Sequence, residues 1–178
     1  SHAEIVKKVE IIGNERISNE TIIIFGDVTL GKDYKKSDIN LLIKKLYETT
    51  FFSTISVDLI NNKLSIIVAE NPIINSIVLE GEKANKFKEK IKEIASLKEK
   101  GSFLEHRVKN DVNLIKSFYR ALGYYFVKID ADIEKLIKNK VNIVYRIDKG
   151  EKAKIAKIYF LGDKKIREKK LRDIITSQ

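Results

Sequence analysis

The chain has 178 residues, of which 43% are hydrophobic, and a formal net charge of +10. It contains no Cys, which excludes disulfides, thiolate nucleophiles and Cys-based zinc sites. No apolar run approaches the roughly 20 residues that a membrane-spanning helix requires. The positive charge would suit nucleic acid, an anionic membrane surface or an acidic partner, or simply reflect solvated lysines. We interpret residues 1–3 as a cloning remnant.

The clearest pattern is an internal repeat. Three strand-like apolar stretches end in a glycine, at Val9–Gly13, Ile77–Gly81 and Ile158–Gly162. A polar turn follows each glycine, where a positive φ is cheap only for Gly. The spacing of the three glycines is that of small domains in tandem.

The first unit continues with two predicted helices and a hairpin. Ser18 is placed to cap a short helix that ends near Gly26, and a second helix begins at Ser37. Apolar and polar residues then alternate on either side of Asn61 and Asn62, which predicts a β-hairpin. Apolar residues of the second helix recur at the spacing of one helix face, namely Ile39, Leu42, Ile43, Leu46 and Tyr47.

The second unit repeats this order. One helix is predicted through Phe87, and another opens at Ser102 with a capping-box pattern and ends near Gly123. Two strands with alternating apolar residues follow, beginning at Val127 and Val141, and predict a second hairpin.

The third unit is incomplete in this sequence. A strand through Phe160 and a helix carrying Leu171 follow, but no hairpin does. We therefore expect the tail from about Lys154 to pack on the second unit or to be poorly ordered. The predicted boundaries are 4–72 for the first module, 73–150 for the second and 151–178 for the start of the third.

The order strand, helix, helix, strand, strand, with a glycine after the first strand and an aromatic corner before the second, resembles the POTRA domain of the BamA family of outer-membrane assembly proteins. Four segments carry the resemblance, namely Val9–Asn14, Leu46–Phe52, Asn71–Ile77 and Phe118–Tyr125. They are similar to the first two modules of that family. The resemblance implies an α+β fold of tandem β-α-α-β-β modules, each a small three-stranded mixed sheet packed on two helices.

Six residues are predicted to have structural roles in these modules. Glycines end the first strands and one helix, and the corner aromatics are expected to fill the gap between helix and sheet. The first corner departs from the family pattern, because Thr50 stands where Gly is usual. The predicted structural residues are Gly13, Gly81, Gly123, Gly162, Phe52 and Tyr125.

No catalytic residue, cofactor site or metal site is predicted, and the chain is expected not to be an enzyme. His106 is the one histidine after residue 3, so neither a nucleophilic triad nor a histidine metal cluster can be assembled. Asp130 and Asp132 stand two apart on a strand and share its outward face. This spacing favours a solvated face over a catalytic carboxylate pair in a pocket.

RNA binding is the alternative from a different class, because KH domains also contain a β-α-α-β core and the chain is basic. KH domains hold the nucleic-acid backbone with a GXXG loop. No two of the eight glycines in this sequence lie three residues apart. The sequence therefore predicts no nucleic-acid partner, and a KH-like module stays the weaker alternative.

The POTRA resemblance implies binding at sheet edges, where the first strand of each hairpin would present unpaired N–H and C=O groups. The implied partners are unfolded outer-membrane proteins and accessory subunits of a barrel-assembly complex. The chain would be the periplasmic portion of a protein that continues into an outer-membrane β-barrel. The candidate edge residues are Thr54, Ile55, Ser56, Val57 and Asp58, and Val127, Lys128, Ile129, Asp130 and Ala131.

Other roles stay open at this point. The modules could act as spacers and docking platforms, or the Lys-rich stretch 86–100 could rest on anionic lipid headgroups. Two-partner secretion and translocation-assembly transporters also carry POTRA modules, so the resemblance does not separate them from assembly factors.

Overall fold

The computed structural model describes residues 3–153. They fall into two compact units, residues 3–73 with 102–104, and residues 74–101 with 105–153. The predicted third module from residue 154 onward, Gly162 included, lies outside the described residues. Within residues 3–153, no helix has the length and apolarity needed to cross a membrane.

The first unit is built around a three-stranded sheet whose central strand is β5 (Lys63–Glu70). On one side β5 pairs in parallel with β2 (Lys8–Ile12), and on the other it pairs antiparallel with β4 (Phe52–Ile60). A separate pair of antiparallel strands, β1 and β3, was not predicted. The elements in chain order are β1 (Glu4–Ile5), β2 (Lys8–Ile12), α1 (Asn19–Gly26), β3 (Asp33–Tyr34), α2 (Lys36–Glu48), β4 (Phe52–Ile60) and β5 (Lys63–Glu70).

The two helices of this unit begin where side chains satisfy free backbone groups. Ser18 Oγ accepts a hydrogen bond from the Thr21 N–H at 3.1 Å and caps α1 as predicted. At the start of α2, the Asp38 carboxylate accepts from the Lys35 N–H at 2.9 Å. Leu42 and Leu46, on the predicted apolar face of α2, are buried against the sheet.

The β4–β5 hairpin turns at the predicted residues. Asn61 and Asn62 have φ values of 52° and 63°, as a type I′ turn requires. This turn sets the register, which pairs core-facing residues across the two strands. The pairs are Ile55 with Val68, Val57 with Ile66, and Leu59 with Leu64.

The second unit repeats the same architecture, with strand order β6-β8-β7. The strands β7 and β8 are antiparallel and pair Ile129 with Ile147. Its elements are β6 (Ile73–Glu80), α3 (Asn85–Ile94), α4 (Val108–Ala121), β7 (Lys128–Leu136) and β8 (Lys140–Asp148). Both units thus have the predicted β-α-α-β-β order in an α+β fold.

The predicted start of the second helix at Ser102 is wrong, since α4 begins at Val108 after a 3₁₀ turn over Glu105–Arg107. Lys100 and Gly101, which precede the predicted start, are instead bonded to β6. The Lys100 N–H donates to the Ile74 carbonyl at 2.7 Å, and the Ile74 N–H donates to the Gly101 carbonyl at 2.9 Å. These bonds hold Lys100 and Gly101 against β6, and α4 begins only after this segment.

The two corners between helix and strand differ, and the predicted packing role of Tyr125 is wrong. Phe52 is buried, but 59% of Tyr125 is exposed. In the first corner β4 starts at Phe52 itself, whereas β7 starts only at Lys128. The additional residues carry Tyr125 outward, and Val127, just before β7, is the buried residue there.

A buried carboxylate, Glu82, joins three parts of the second unit. It accepts hydrogen bonds from the Tyr119 hydroxyl at 2.6 Å, the Ala84 N–H at 3.0 Å and the Lys149 ammonium at 3.3 Å. Burial by itself raises the pKa of Glu82, but these hydrogen bonds outweigh it, so the net pKa lies below the ordinary glutamate value. The ionised form is therefore the one that stabilises the fold.

The contribution of Glu82 should disappear in acid. Because its folded pKa is lowered, the stabilisation is fully present above the unfolded pKa of about 4.5 and is lost as the pH falls through the lower folded value. We expect Glu82→Gln to lower Tm at about pH 7 and to differ less from wild type as the pH approaches about 3. Thermal unfolding of both proteins across this range is the measurement. A constant difference would mean that the charge of Glu82 is not its source.

Candidate strand-binding edges

The first strand of each hairpin lies at an edge of its sheet. Among the described strands, β4 pairs only with β5 and β7 pairs only with β8. The far sides of β4 and β7 therefore present backbone groups that no strand of residues 3–153 pairs with. Thr54–Asp58 lie within β4 and Lys128–Ala131 within β7, while Val127 precedes β7 and is buried. Their role in binding remains a prediction.

A hydrogen bond shows which amides of β4 point outward. The Ile55 N–H donates to the Tyr47 hydroxyl of α2 at 3.1 Å, so it does not point toward β5. Because amide directions alternate along a strand, the amides of Val57 and Leu59 also point away from the sheet. These are the residues whose side chains face the core.

The same rule assigns the outward amides of β7. Its core-facing residue Ile129 pairs with Ile147, as Ile55 pairs with Val68 in the first unit. The β4–β5 and β7–β8 hairpins have the same strand order and turn the same face toward the core. For L-amino acids, the amides of the core-facing residues must then point in the same direction in both hairpins. The outward amides of β7 are therefore those of Ile129, Ala131 and Ile133.

The solvent face beside the β7 edge carries charges. Asp130 and Asp132 are both exposed there, as the two-residue spacing predicted. An Arg146 Nη2 lies 3.2 Å from an Asp132 carboxylate oxygen, and the Arg146 Nε lies 3.7 Å from Glu80. This row of charges crosses all three strands and keeps the face hydrated.

A metal-dependent role finds no support in residues 3–153, where no group of three or more acidic or histidine side chains is placed to hold a metal ion. His106 lies in the 3₁₀ turn before α4 and is exposed.

Known proteins resemble this chain in sequence and in fold. The family model of the POTRA domain, described as a surface antigen variable number repeat, matches residues 72–150. These are nearly all of the second unit. The sequence of residues 72–150 thus matches that of a POTRA domain.

Two relatives extend the POTRA similarity to the first module. The chain is 27% identical over 183 residues to the outer membrane protein assembly factor BamA of Neorickettsia risticii (strain Illinois), and the match covers 99% of this chain. It is 29% identical over 168 residues to the BamA of Neisseria meningitidis serogroup B, with 93% of this chain covered. The chain spans only 24% and 21% of the length of these relatives.

Solved structures support tandem POTRA modules as the fold. The N-terminal domain of Omp85 from Thermosynechococcus elongatus matches with a TM-score of 0.54 and 13% identity, over 82% of this chain and 63% of that one. The first three POTRA domains of Omp85 from Anabaena match with a TM-score of 0.50 and 13% identity, over 82% and 61% of the two chains. The predicted fold class is confirmed.

Sequence reasoning missed the bond between Tyr47 and β4. It assigned Tyr47 to the apolar face of α2, although 45% of this residue is exposed. No local sequence pattern indicates this hydrogen bond, because only the packing of α2 beside β4 brings the Tyr47 hydroxyl to the Ile55 amide.

Proposed function

We propose that these modules are the periplasmic binding and scaffold portion of an outer-membrane β-barrel assembly factor. In this proposal, unfolded outer-membrane proteins or accessory subunits add a strand to β4 or β7. The observation that carries the proposal is that each POTRA module leaves its first hairpin strand with one neighbour among the described strands. The two BamA relatives, named as outer membrane protein assembly factors, supply the cellular context.

Strand addition suits a partner that must be recognised in many sequences. Main-chain hydrogen bonds supply the affinity, and they are available to any extended polypeptide. Outward N–H groups recur at the two-residue spacing that an incoming strand needs. They belong to Val57 and Leu59 on β4 and to Ala131 and Ile133 on β7. Such binding requires no cofactor and no energy source.

The lipid-facing alternative gains less support. Two lysines of the Lys-rich stretch are paired within it, because Lys90 lies 3.6 Å from Glu93 and Lys92 lies 3.2 Å from Glu99. In these pairs, carboxylates neutralise two of the six lysines of the stretch, which weakens its attraction to an anionic membrane. The structure therefore favours the strand edges over this face.

Proline at Ala131 should weaken strand binding while the module stays folded, because Ala131 has an outward N–H and a small, partly exposed side chain, whereas Ile129 is buried in the core. Proline removes the outward N–H, which makes no bond within the sheet, and edge strands tolerate it. We expect roughly five- to tenfold less capture of a fluorescent peptide of alternating Thr and Val residues, since about one strand hydrogen bond is lost. A photo-crosslinking residue placed at exposed Lys128 reports capture on β7.

Asp130→Pro is the matched control, because its amide points into the sheet and its loss breaks a ladder bond to β8. This variant should lower Tm clearly more than Ala131→Pro does. Ile129→Pro also removes an outward amide, but it replaces a buried side chain as well, so its capture is compared only if the variant is folded. Undiminished capture by a folded Ile129→Pro or Ala131→Pro variant would refute strand addition at β7.

A further inference from the structure

The two edges differ at their first outward amide. On β4, the amide of Ile55 is already bonded to the Tyr47 hydroxyl at 3.1 Å. An incoming strand would have to displace this hydroxyl before it could use that donor. Tyr47 is 45% exposed and lies outside the buried core, so the displacement requires no rearrangement of the core.

The second module lacks this acceptor. Leu46 and Tyr119 are the fully buried residues in the last turns of α2 and α4, and Thr50 and Gly123, four residues after each, both have positive φ. The residue after Leu46 is Tyr47, and the residue after Tyr119 is Arg120. A guanidinium has five donors and no acceptor, so it cannot bind a backbone N–H.

The amide of Ile129 therefore stays available. Within residues 3–153, no side chain accepts a hydrogen bond from the Ile129 N–H, which is the counterpart of the Ile55 N–H. Arg120 is exposed at the end of α4 and carries a charge that stays hydrated. The first outward amide is thus occupied in the first module and available in the second.

We propose that Tyr47 is a latch on the β4 edge that directs strand addition to β7, an inference that rests on the proposed function. The hydroxyl satisfies the Ile55 amide in the free protein and competes with an incoming backbone carbonyl. Since a neutral hydrogen bond has a small net free energy, the latch biases binding by roughly two- to tenfold and does not abolish it at β4.

Tyr47→Phe tests the latch, because it removes the hydroxyl and retains the ring. Amide hydrogen exchange should become faster at Ile55 in the free chain, since its bonding partner is lost. With the alternating Thr and Val peptide, a crosslinker at exposed Ser56 should capture roughly two- to tenfold more peptide than in wild type. Capture from Lys128 on β7 should not change.

Tyr34→Phe is the matched control. The Tyr34 hydroxyl also accepts a backbone hydrogen bond, from the Thr29 N–H at 3.1 Å, and neither residue belongs to β4. Its loss should leave capture at both edges unchanged. Tyr47→Arg introduces the residue that α4 has at the matching position. It should increase capture from Ser56 as Tyr47→Phe does, which would show that the retained aromatic ring is not the cause.

The outcomes separate the two proposals. If Lys128 captures the peptide in all variants but Ser56 gains nothing in Tyr47→Phe and Tyr47→Arg, the latch is wrong and strand addition at β7 stands. Unchanged exchange at Ile55 would also overturn the latch. If neither edge captures the peptide in any folded variant, strand addition fails and the latch fails with it.

Discussion

Gly81→Ala is expected to destabilise the second module by about 3–5 kcal/mol, a large part of the stability of a small domain. Gly81 has a φ of +95°, and a Cβ at this position would overlap the carbonyl oxygen of Ile147. That carbonyl belongs to the central strand β8, so it cannot move away without disturbing the sheet. Gly13→Ala should have the same effect in the first module, where the Cβ would meet the Val68 carbonyl at a φ of +97°.

Gly31→Ala separates the two causes of this loss of stability, namely the positive φ and the overlap of the Cβ with a carbonyl oxygen. Gly31 has a positive φ of +82°, but no heavy atom lies within 4 Å of a Cβ built there. Its substitution should therefore cost only the conformational part, about 1 kcal/mol. Urea unfolding of the three variants measures the difference. Equal losses at Gly31 and Gly81 would show that the carbonyl overlap does not govern the effect.

Asp111→Ala should be the next most damaging change, at about 3–5 kcal/mol. Asp111 is fully buried on the first turn of α4 and closes the loop after α3. Its carboxylate accepts from the Ser96 N–H, the Ser96 hydroxyl and the Leu97 N–H, each at 2.9 Å. Alanine would leave the Leu97 donor buried without its partner, along with a cavity.

Asp111→Asn and Ser96→Ala show how much of this loss of stability comes from the individual hydrogen bonds of the carboxylate. Asn keeps one acceptor oxygen and nearly the same volume, so it should cost less than alanine. Ser96→Ala removes only the hydroxyl bond and should cost about 1 kcal/mol. Denaturant unfolding gives the comparison, and amide exchange at Leu97 should accelerate in Asp111→Ala. Slow exchange at Leu97 in that variant would contradict the assigned partner.

Local signals predicted the elements that local physics controls. Ser18 and the turn residues Asn61 and Asn62 set a helix start and a hairpin through bonds and dihedral angles within a few residues. The apolar alternation on both sides of the turn set the register. The module order followed from these local elements, and the resemblance to the POTRA domain followed from their order and motifs.

Signals that depend on distant segments failed. The capping-box pattern at Ser102 did not start a helix, because Lys100 and Gly101 bond to Ile74. Tyr125 matched Phe52 in sequence, but the later start of β7 placed it in solvent. In each case a partner far along the chain decided between two conformations that the local sequence allowed.

The sequence by itself determined that this chain forms tandem β-α-α-β-β modules, because periodicity, turns and glycines act over a few residues. Only the tertiary structure decided which edge amides are free. The Tyr47 hydroxyl occupies the first outward amide of β4, and Arg120 offers no acceptor at the matching position, a difference that arises where a helix end packs beside a strand. Such a contact joins residues through space, and neither helix pattern nor strand pattern encodes it.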